Sequence, residues 1–286
     1  MARHPPSTDR LVQRLSEAAR VERVAFTGGQ VTWRGFGSGA PLVLLHGGHG
    51  SWLHWARNIE ALAGRYTVWV PDLPGFGDSD LPAGASLDDL VATTLQSLDR
   101  LVGAGTSLRL AGFSFGGLVA ARLAQLRGGV TQLALLGPAG HGGRRRPRGE
   151  LKAWRALESG SDAWTAVMRH NLLMHMLHDP AAVDEPALHI HGQSCLRTRF
   201  HSKTISRAGG LAEMLQGQQA RLLFVAGAHD VTLVPDATVQ RLAQARAACS
   251  THIGPQAGHW VQYEAAEAVN GLLLQWLAGP HPLALP

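Results

Sequence analysis

The feature that most constrains the fold of this 286-residue chain is a series of short apolar runs that alternate with helical patterns. Four such runs follow one another, at residues 41–45, 66–70, 108–113 and 130–136. A continuous apolar run of this length is typical of a strand that is buried on both faces of a parallel sheet. Helical patterns separate the runs, at residues 52–62, 87–101 and 117–126. The alternation predicts a mostly parallel sheet flanked by helices.

The alternation starts after a predicted hairpin and is interrupted once. Two strands, 21–26 and 30–36, flank the pair Gly28-Gly29. The composition changes at the Gly- and Arg-rich stretch 137–148, and residues from about 150 to 215 read as helices without a clear strand. Strand–helix alternation then resumes, at residues 222–227, 248–253 and 259–277. We therefore expect a sheet-containing core made of residues 1–138 and 216–286, with residues 139–215 inserted as a helical cap.

Composition excludes several classes of protein. The hydrophobic share of 45% is far too high for a disordered chain. The sequence has no 18-residue apolar run, which argues against a membrane-spanning helix, and its first residues have no apolar segment typical of a secretion signal. The two cysteines, Cys195 and Cys249, stand in unrelated contexts. We expect a reduced, cytoplasmic protein that does not bind membranes.

The net charge of +5 raises the question of nucleic-acid binding. Residues 139–215 contain nine Arg and two Lys against seven acidic residues. Nucleic-acid-binding proteins also interleave aromatic residues with such charge or contain a recognisable module, and the sequence shows neither. The expected partner is a small-molecule substrate, without nucleic acid. The sequence leaves the oligomeric state open, a homo-oligomer included.

A serine stands at the centre of a glycine-flanked turn, in the run Gly-Phe-Ser-Phe-Gly at residues 112–116. A serine on a sharp strand-to-helix turn has a strained backbone. Side chains two positions away on either side would collide, so glycine is needed at both places. The turn exposes the hydroxyl at the N-terminus of a helix, where developing negative charge is stabilised. Ser114 is therefore the candidate nucleophile. The alternative is a glycine-rich turn whose serine caps the helix.

A serine nucleophile needs a general base, and the base needs an acid that orients it. Asp230 stands in the turn after the apolar strand 222–227, and His259 stands at the start of the last helical pattern. The order Ser114, Asp230, His259 is the order expected when such a triad is built on an open parallel sheet. No carboxylate competes in the turn after strand 130–136. The alternative is that the aspartate caps a strand end and the histidine begins a helix.

Acyl transfer also needs hydrogen-bond donors for a charged intermediate, normally two backbone N–H groups. Phe115, directly after the serine, would supply one. The second should come from the turn after the third strand, where the loop 46–51 is rich in glycine, and Gly48 is the residue we expect there. This loop lacks the Gly-Lys-Ser/Thr of a phosphate-binding loop.

The chain resembles the α/β-hydrolase family over about residues 20–278. Four segments carry the resemblance, at residues 44–48, 72–79, 112–117 and 227–230 with 258–260. The resemblance implies an eight-stranded, mostly parallel sheet and a helical cap at residues 139–215. It implies Ser114, Asp230 and His259 as a catalytic triad and Gly48 with Phe115 as the oxyanion hole, without a cofactor. A serine rather than an aspartate in the turn argues against the dehalogenase and epoxide-hydrolase branches, and Asp72 looks structural.

Within the family, residues 258–264 look like those of the C–C bond hydrolases that cleave ring-fission products of aromatic compounds. Those enzymes typically have an asparagine before the nucleophile, where this chain has Phe113, and use a cap arginine to hold the substrate carboxylate. In this chain His191 falls near the position of that arginine, and Arg197 and Arg199 are close by in the sequence. Because the chain departs from this pattern, a carboxylic-ester hydrolase is preferred, with C–C hydrolysis, acyl transfer and a catalytically weak ligand receptor as alternatives.

Further substrate contacts are expected from the loops and from the cap. A cap arginine would bind a carboxylate on the substrate, because guanidinium groups recognise carboxylates bidentately. The histidines of the cap do not predict a metal site, because no set of carboxylates accompanies them. The residues predicted to contact substrate are His49, Phe113, Arg197, Arg199 and Trp260.

Overall fold

The computed structural model describes residues 10–246, 249–254 and 256–279. Within these residues, eight strands form one sheet in the order β1-β2-β4-β3-β5-β6-β7-β8. The strands are β1 (Arg20–Phe26), β2 (Gly29–Phe36), β3 (Ala40–Leu45), β4 (Tyr66–Pro71), β5 (Leu108–Phe113), β6 (Val130–Leu136), β7 (Arg221–Gly227) and β8 (Cys249–Gly254). The hairpin β1–β2 and the pair β2–β4 are antiparallel, and the other pairs are parallel. The predicted fold, a mostly parallel eight-stranded sheet flanked by helices, is confirmed.

The central strands are apolar throughout because both of their faces are covered. In β3, Leu42 and Leu44 belong to the core on one face of the sheet, whereas Val43 and Leu45 belong to the core on the other. All four side chains are fully buried. Successive side chains of a strand point to opposite faces, so a strand covered on both sides needs an unbroken apolar run. This is the physical reason why the runs could be identified in the sequence.

Helices lie between and after these strands, and most were anticipated. The helices outside residues 139–215 are α1 (Arg10–Ala18), α2 (Ile59–Ala63), α3 (Leu87–Val102), α4 (Phe115–Arg127), α9 (Pro235–Ala245), α10 (Val261–Glu264) and α11 (Ala266–Ala278). Helices α1 and α9 were not predicted from the sequence. The helix predicted over 52–62 is divided into a short 3₁₀ helix (Trp52–Trp55) and α2, and the last predicted helix is broken at Ala265. The strand predicted over 248–253 is β8, and Ala248 lies outside the described residues.

Residues 139–215, which we call the cap segment, connect β6 to β7. They contain the helices α5 (Asp162–His175), α6 (Glu185–Leu196), α7 (Lys203–Arg207) and α8 (Leu211–Leu215), with a 3₁₀ turn (Pro180–Ala182) and, as expected, no strand among them. Residues 139–161 form neither helix nor strand. The division of the chain into core and cap stays a prediction. Among the residues with described coordinates, none of the helices has the length and apolar character required to cross a membrane.

Helix α4 packs against the sheet at very short range directly after β5. A Cβ atom built on Gly116 would lie 2.4 Å from the carbonyl oxygens of Leu45 and His46, and one built on Gly112 would lie 2.3 Å from the carbonyl oxygen of Gly116. These neighbours are backbone atoms, which cannot turn aside as a flexible side chain can. Only glycine therefore fits at residues 112 and 116, two positions before and two positions after Ser114.

We expect Gly116→Ala to lower the free energy of unfolding by about 1–3 kcal/mol, because its methyl group would push α4 away from β3. The matched control is Gly271→Ala in α11, where a Cβ meets no atom within 4 Å. That change should raise the free energy of unfolding by about 0.5–1 kcal/mol, since alanine favours a helix interior over glycine. Urea unfolding followed by tryptophan fluorescence measures both. Equal effects of the two substitutions would contradict the close approach of α4.

Candidate active site

Ser114 lies at the sharp turn between β5 and α4. Its φ of +53° and ψ of −118° are rare for a residue with a side chain, and of the non-glycine residues described only His49 shares the positive φ. The strain is held in place on both sides, because the Ser114 N–H donates to the carbonyl of Leu136 at 2.9 Å and its own carbonyl accepts from Ala139 at 2.9 Å. The side chain is half-buried and makes no capping bond to α4. The hydroxyl is thus left for another partner, and the helix-cap interpretation does not describe this serine.

The partner of the Ser114 hydroxyl is His259. Its Nε2 lies 2.9 Å from Ser114 Oγ, and its Nδ1 lies 2.9 Å from Asp230 Oδ2. Asp230 stands in the turn after β7, and His259 stands just before α10. Three residues that are far apart in the chain therefore form one continuous line of hydrogen bonds at the C-terminal edge of the sheet.

The surroundings of Asp230 determine the direction of these bonds. The carboxylate is completely buried, which raises its pKa, but His259 and the N–H and hydroxyl of Thr232 more than offset this and leave the pKa below its ordinary value. The Thr232 groups donate to Asp230 Oδ1 at 2.7 and 2.8 Å. An ionised carboxylate only accepts, so the proton of neutral His259 is on Nδ1. Nε2 is then an acceptor, and the Ser114 O–H donates to it.

The acid and the base approach each other beside the end of β6. A Cβ atom on Gly137 would lie 3.0 Å from Asp230 Oδ2 and 3.1 Å from His259 Nδ1, and its φ is +49°. A residue with a side chain at this position would crowd the hydrogen bond between the two groups. The sequence showed that this turn has no carboxylate, and the structure shows that residue 137 has little room for any side chain.

The loop after β3 lies against the serine turn. A Cβ on Gly47 would be 3.1 Å from Ser114 Cβ, and one on Gly48 would be 3.7 Å from Phe115 Cβ. The backbone N–H groups of Gly48 and Phe115 have no hydrogen-bond partner among the residues that the structure describes. The structure therefore places Gly48 next to Phe115 at the serine turn, and their role as oxyanion donors stays a prediction.

Two buried histidines that sequence reasoning missed hold this loop. His54 Nδ1 accepts from the Gly47 N–H at 3.2 Å, while His46 contacts the Gly47 carbonyl at 2.8 Å and accepts from the Leu73 N–H at 2.9 Å. Burial lowers the pKa of both, that of His54 well below its ordinary value. Neutral rings can accept from backbone N–H groups as protonated rings cannot. The only signal in the sequence was the number of histidines near the loop.

Asp72 connects the same loop region to the neighbouring turn, residues 72–80. Its Oδ1 accepts from the Trp52 N–H at 2.9 Å, and its Oδ2 accepts from Arg34 at 2.9 Å and from the Asp78 N–H at 3.0 Å. A Cβ on Gly77 would lie within 2.5 Å of this carboxylate. These contacts agree with the structural role expected for Asp72.

The two cap arginines predicted to bind a substrate carboxylate contact the 72–80 turn instead. Arg197 forms an ion pair with Asp78, which also pairs with Arg34, and Arg199 donates to the backbone carbonyls of Gly77 and Ser79. Both guanidinium groups already have partners, because the chain after α6 packs on this turn. That Arg197 and Arg199 bind a substrate carboxylate stays a prediction, and binding would require them to leave these partners.

His191, which falls near the place of a substrate-binding arginine, is not a cation either. Burial lowers its pKa to about 4, and its ring lies 3.8–3.9 Å from the sulfur of Cys195. Burial also raises the pKa of that thiol to about 12, so Cys195 is not a candidate nucleophile. Neither His191 nor Cys195 therefore carries a charge that could bind a substrate carboxylate.

The other predicted contact residues are divided between the site and the core. Trp260 is fully buried, stacks on Tyr263 at 4.1 Å and donates to the His54 carbonyl at 2.9 Å, so it packs in the core, and its contact with substrate stays a prediction. Phe113 is also buried, with its ring 4.9 Å from the His259 ring. His49 is exposed at the tip of the glycine loop.

The cap segment reaches the base directly. The ring of His175, the last residue of α5, lies 5.7 Å from the ring of His259, and this contact could not be foreseen from the sequence. Within the described part of the chain, no group of three or more His, Cys, Asp or Glu residues is arranged to hold a metal ion.

Comparison with known proteins shows the family of the chain. Residues 42–272 match the model of the alpha/beta hydrolase family. The chain is 30% identical over 262 residues to a 2-hydroxymuconate semialdehyde hydrolase of Pseudomonas sp. (strain CF600), covering 85% of this chain and 88% of that one. It is 32% identical over 256 residues to the dihydrolipoyllysine-residue acetyltransferase component of an acetoin cleaving system of Pseudomonas putida, covering 84% of this chain and 64% of that protein.

Among solved structures, the naproxen esterase (carboxylesterase NP) of Bacillus subtilis superposes with a TM-score of 0.74 at 19% identity. The match covers 96% of this chain and 100% of the esterase, which shows the shared fold. With the family model matched over most of its length, the chain belongs to the α/β-hydrolase family.

Proposed function

We propose that the protein is a serine hydrolase that cleaves a carboxylic ester through an acyl-enzyme. The observation that carries the proposal is the line of hydrogen bonds from Asp230 through His259 to Ser114, with both His259 nitrogens at 2.9 Å from their partners. A hydroxyl becomes a nucleophile when an adjacent base takes its proton, and the base works when its tautomer is held. Each of these requirements has a residue here.

The reaction follows from the directions of the bonds. His259 Nε2 accepts the Ser114 proton while Oγ attacks the ester carbonyl, and the alcohol leaves with a proton returned from His259. Asp230 keeps the imidazole in the Nδ1–H tautomer and stabilises the imidazolium. Water, activated by His259, then hydrolyses the acyl-enzyme and frees the acid.

The negative charge on the carbonyl oxygen in this reaction would be held by the free N–H groups of Gly48 and Phe115. One such donor typically lowers the barrier by about 3–4 kcal/mol. The loop that presents Gly48 is held by neutral His54 and His46, and Phe115 begins α4, where the helix N-terminus adds a favourable field.

C–C bond hydrolysis is a second candidate for the same residues. The 2-hydroxymuconate semialdehyde hydrolase that covers 85% of this chain favours it. The residues of the cap segment favour ester hydrolysis, because His191 is neutral and Arg197 and Arg199 are paired with the 72–80 turn. To hold the carboxylate of a ring-fission product, Arg197 or Arg199 would have to leave its partner, so the proposed substrate is an ester without a carboxylate.

We expect Ser114→Ala to lower kcat on a short-chain chromogenic ester by about 10⁴-fold or more, because no other group can form the acyl-enzyme. Release of nitrophenol measures the rate, and mass spectrometry of the quenched wild type should show an adduct on Ser114. Ser250→Ala, an exposed serine on β8, is the control and should keep full activity. Undiminished turnover by folded Ser114→Ala would overturn the mechanism. Tight binding with a single slow turnover by the wild type would indicate a ligand receptor instead.

A set of substrates separates ester from C–C hydrolysis. We expect the wild type to hydrolyse nitrophenyl esters with a higher kcat/KM than it cleaves a dienoate ring-fission product, because His191 is neutral and Arg197 and Arg199 already have partners in the 72–80 turn. The fall in dienoate absorbance measures the second reaction. A kcat/KM for the dienoate above that of every ester would favour the C–C hydrolase. Adding an alcohol or thiol acceptor and measuring the transfer product tests acyl transfer.

The buried carboxylate also predicts a dependence of stability on pH. In the folded protein the pKa of Asp230 lies below its ordinary value of 3.8, so its ionised form stabilises the fold above that pH, and this contribution is lost as the pH falls through the folded pKa. Asp230→Asn should therefore be less stable than the wild type at neutral pH, with a gap that narrows at about pH 4 and below. It should also lower kcat by about 10³–10⁴-fold.

Urea unfolding of both proteins at several values of pH measures this gap. Histidines that Asp230 does not influence titrate alike in both proteins, so their contribution cancels in the difference. Asp230 raises the pKa of His141 and of His175, so the contribution of these two is part of the gap. Asp236→Asn, an exposed aspartate in the first turn of α9, is the control and should show little change. A gap that stays constant from neutral pH to acid would contradict the ionised state of Asp230.

A further inference from the structure

The end of α5 is fixed against the loop that carries His259 by backbone contacts. The Trp260 N–H donates to the Met176 carbonyl at 2.7 Å, and a Cβ on Gly258 would lie 2.8–3.1 Å from backbone atoms of residues 176–178. The carboxylate of Glu264 accepts from the N–H groups of Gly258 and His178 at 2.7 and 2.9 Å. These contacts place His175 beside His259 without any help from its own side chain.

The side chain of His175 has an unused nitrogen. Its Nδ1 is buried and has no hydrogen-bond partner within the described residues. Other histidines around the site differ in this respect, because both nitrogens of His46 and of His259 are within hydrogen-bond distance of a partner. A buried polar atom without a partner destabilises the fold, so structure alone gives no reason for an imidazole at this position.

The ring of His175 is neutral at physiological pH. Burial is the main reason that its pKa falls to about 3, with His259 and the arginines Arg145 and Arg148 lowering it further and Asp230 acting in the opposite direction. A neutral imidazole has one donor and one acceptor nitrogen. It can therefore bind a hydroxyl, ketone or ether oxygen without introducing a charge beside the base.

We propose that His175 is a specificity-determining residue whose imidazole hydrogen-bonds a neutral polar oxygen of the substrate close to the scissile ester. The proposal rests on the proposed function, because it takes the His259–Ser114 pair as the place of reaction. With its ring 5.7 Å from that of His259, a group bonded to His175 lies on the cap-segment side of the base. The substrate class is then an ester whose acid or alcohol has a hydroxyl, oxo or ether group near the carbonyl.

Matched esters test the proposal. Nitrophenyl butyrate is compared with its α-hydroxy, β-hydroxy and β-oxo derivatives, and ethyl butyrate with the ester whose alcohol has a terminal hydroxyl. We expect the wild type to prefer at least one polar member over its apolar parent in kcat/KM by about tenfold. His175→Phe, which keeps an aromatic ring, should reduce this preference by about tenfold, and His175→Gln, which keeps a donor and an acceptor, should retain part of it.

His170→Phe is the control variant, since His170 lies on the same helix and bonds the Glu150 carbonyl at 2.9 Å. It should leave the preference unchanged. A merely structural role of His175 would lower kcat/KM for polar and apolar esters alike, and that result would overturn the proposal. A wild type that prefers no polar ester in the set would overturn it as well.

A binding measurement separates this proposal from the proposed function. Calorimetry of the same esters with Ser114→Ala requires no turnover, and adding His175→Phe should remove the preference for the polar ligand. If the wild type hydrolyses none of the esters while this binding preference is present and depends on His175, the ester-hydrolase function fails and the site at His175 stands. If the esters are hydrolysed and the preference in binding is absent, the site at His175 fails alone.

Discussion

The site depends on burying a charged carboxylate where it can hold the base. Asp230 is fully buried, and burial of an unpaired charge would be very costly. The cost is offset by three donors, since Thr232 contributes an N–H and a hydroxyl and His259 contributes Nδ1–H. The same bonds fix the tautomer of the base. The stability of the β7 turn and the proposed reactivity of Ser114 therefore have one physical origin.

The rest of the architecture serves to bring Ser114, Asp230 and His259 to one edge of the sheet. The strands β5, β6 and β7 are parallel neighbours, so their C-terminal ends lie side by side. The segments at this edge can pack closely against one another because residues 112, 116 and 137 are glycines. A side chain at any of these positions would meet backbone atoms or the Asp230–His259 pair. Because these three positions have no side chain, Ser114 can adopt its strained backbone conformation and the hydrogen bonds between Asp230, His259 and Ser114 can be short.

Histidines surround this edge in two different roles. His46 and His54 are buried, neutral and bonded to backbone groups, so they hold the glycine loop in place. His175 is equally neutral but has a buried nitrogen without a partner, and it is held by the contact between the cap segment and the loop of His259. A low-polarity enclosure keeps all of these rings uncharged near the base. These rings therefore carry no positive charge, and two arginines of the cap segment, Arg197 and Arg199, are bound to the 72–80 turn.

What the sequence by itself determined is local or follows from strand order. The buried strands could be recognised because a strand with two covered faces requires an unbroken apolar run. Ser114, Asp230 and His259 could be predicted because they stand at a glycine-flanked turn, at the end of an apolar strand and at the start of the last helical pattern, in the order expected for a triad on a parallel sheet. Helix α9 was missed because few of its residues are buried, namely Pro235, Thr238 and Leu242. The break in the helix over 52–62 was missed because Asn58, which stands between the two parts, bonds Gln262 and Asn270 from another part of the chain. The environments of Arg197, Trp260 and His175 were decided only by tertiary structure. A side chain's partner depends on which distant segments meet, and the burial that sets its charge state arises only when they do.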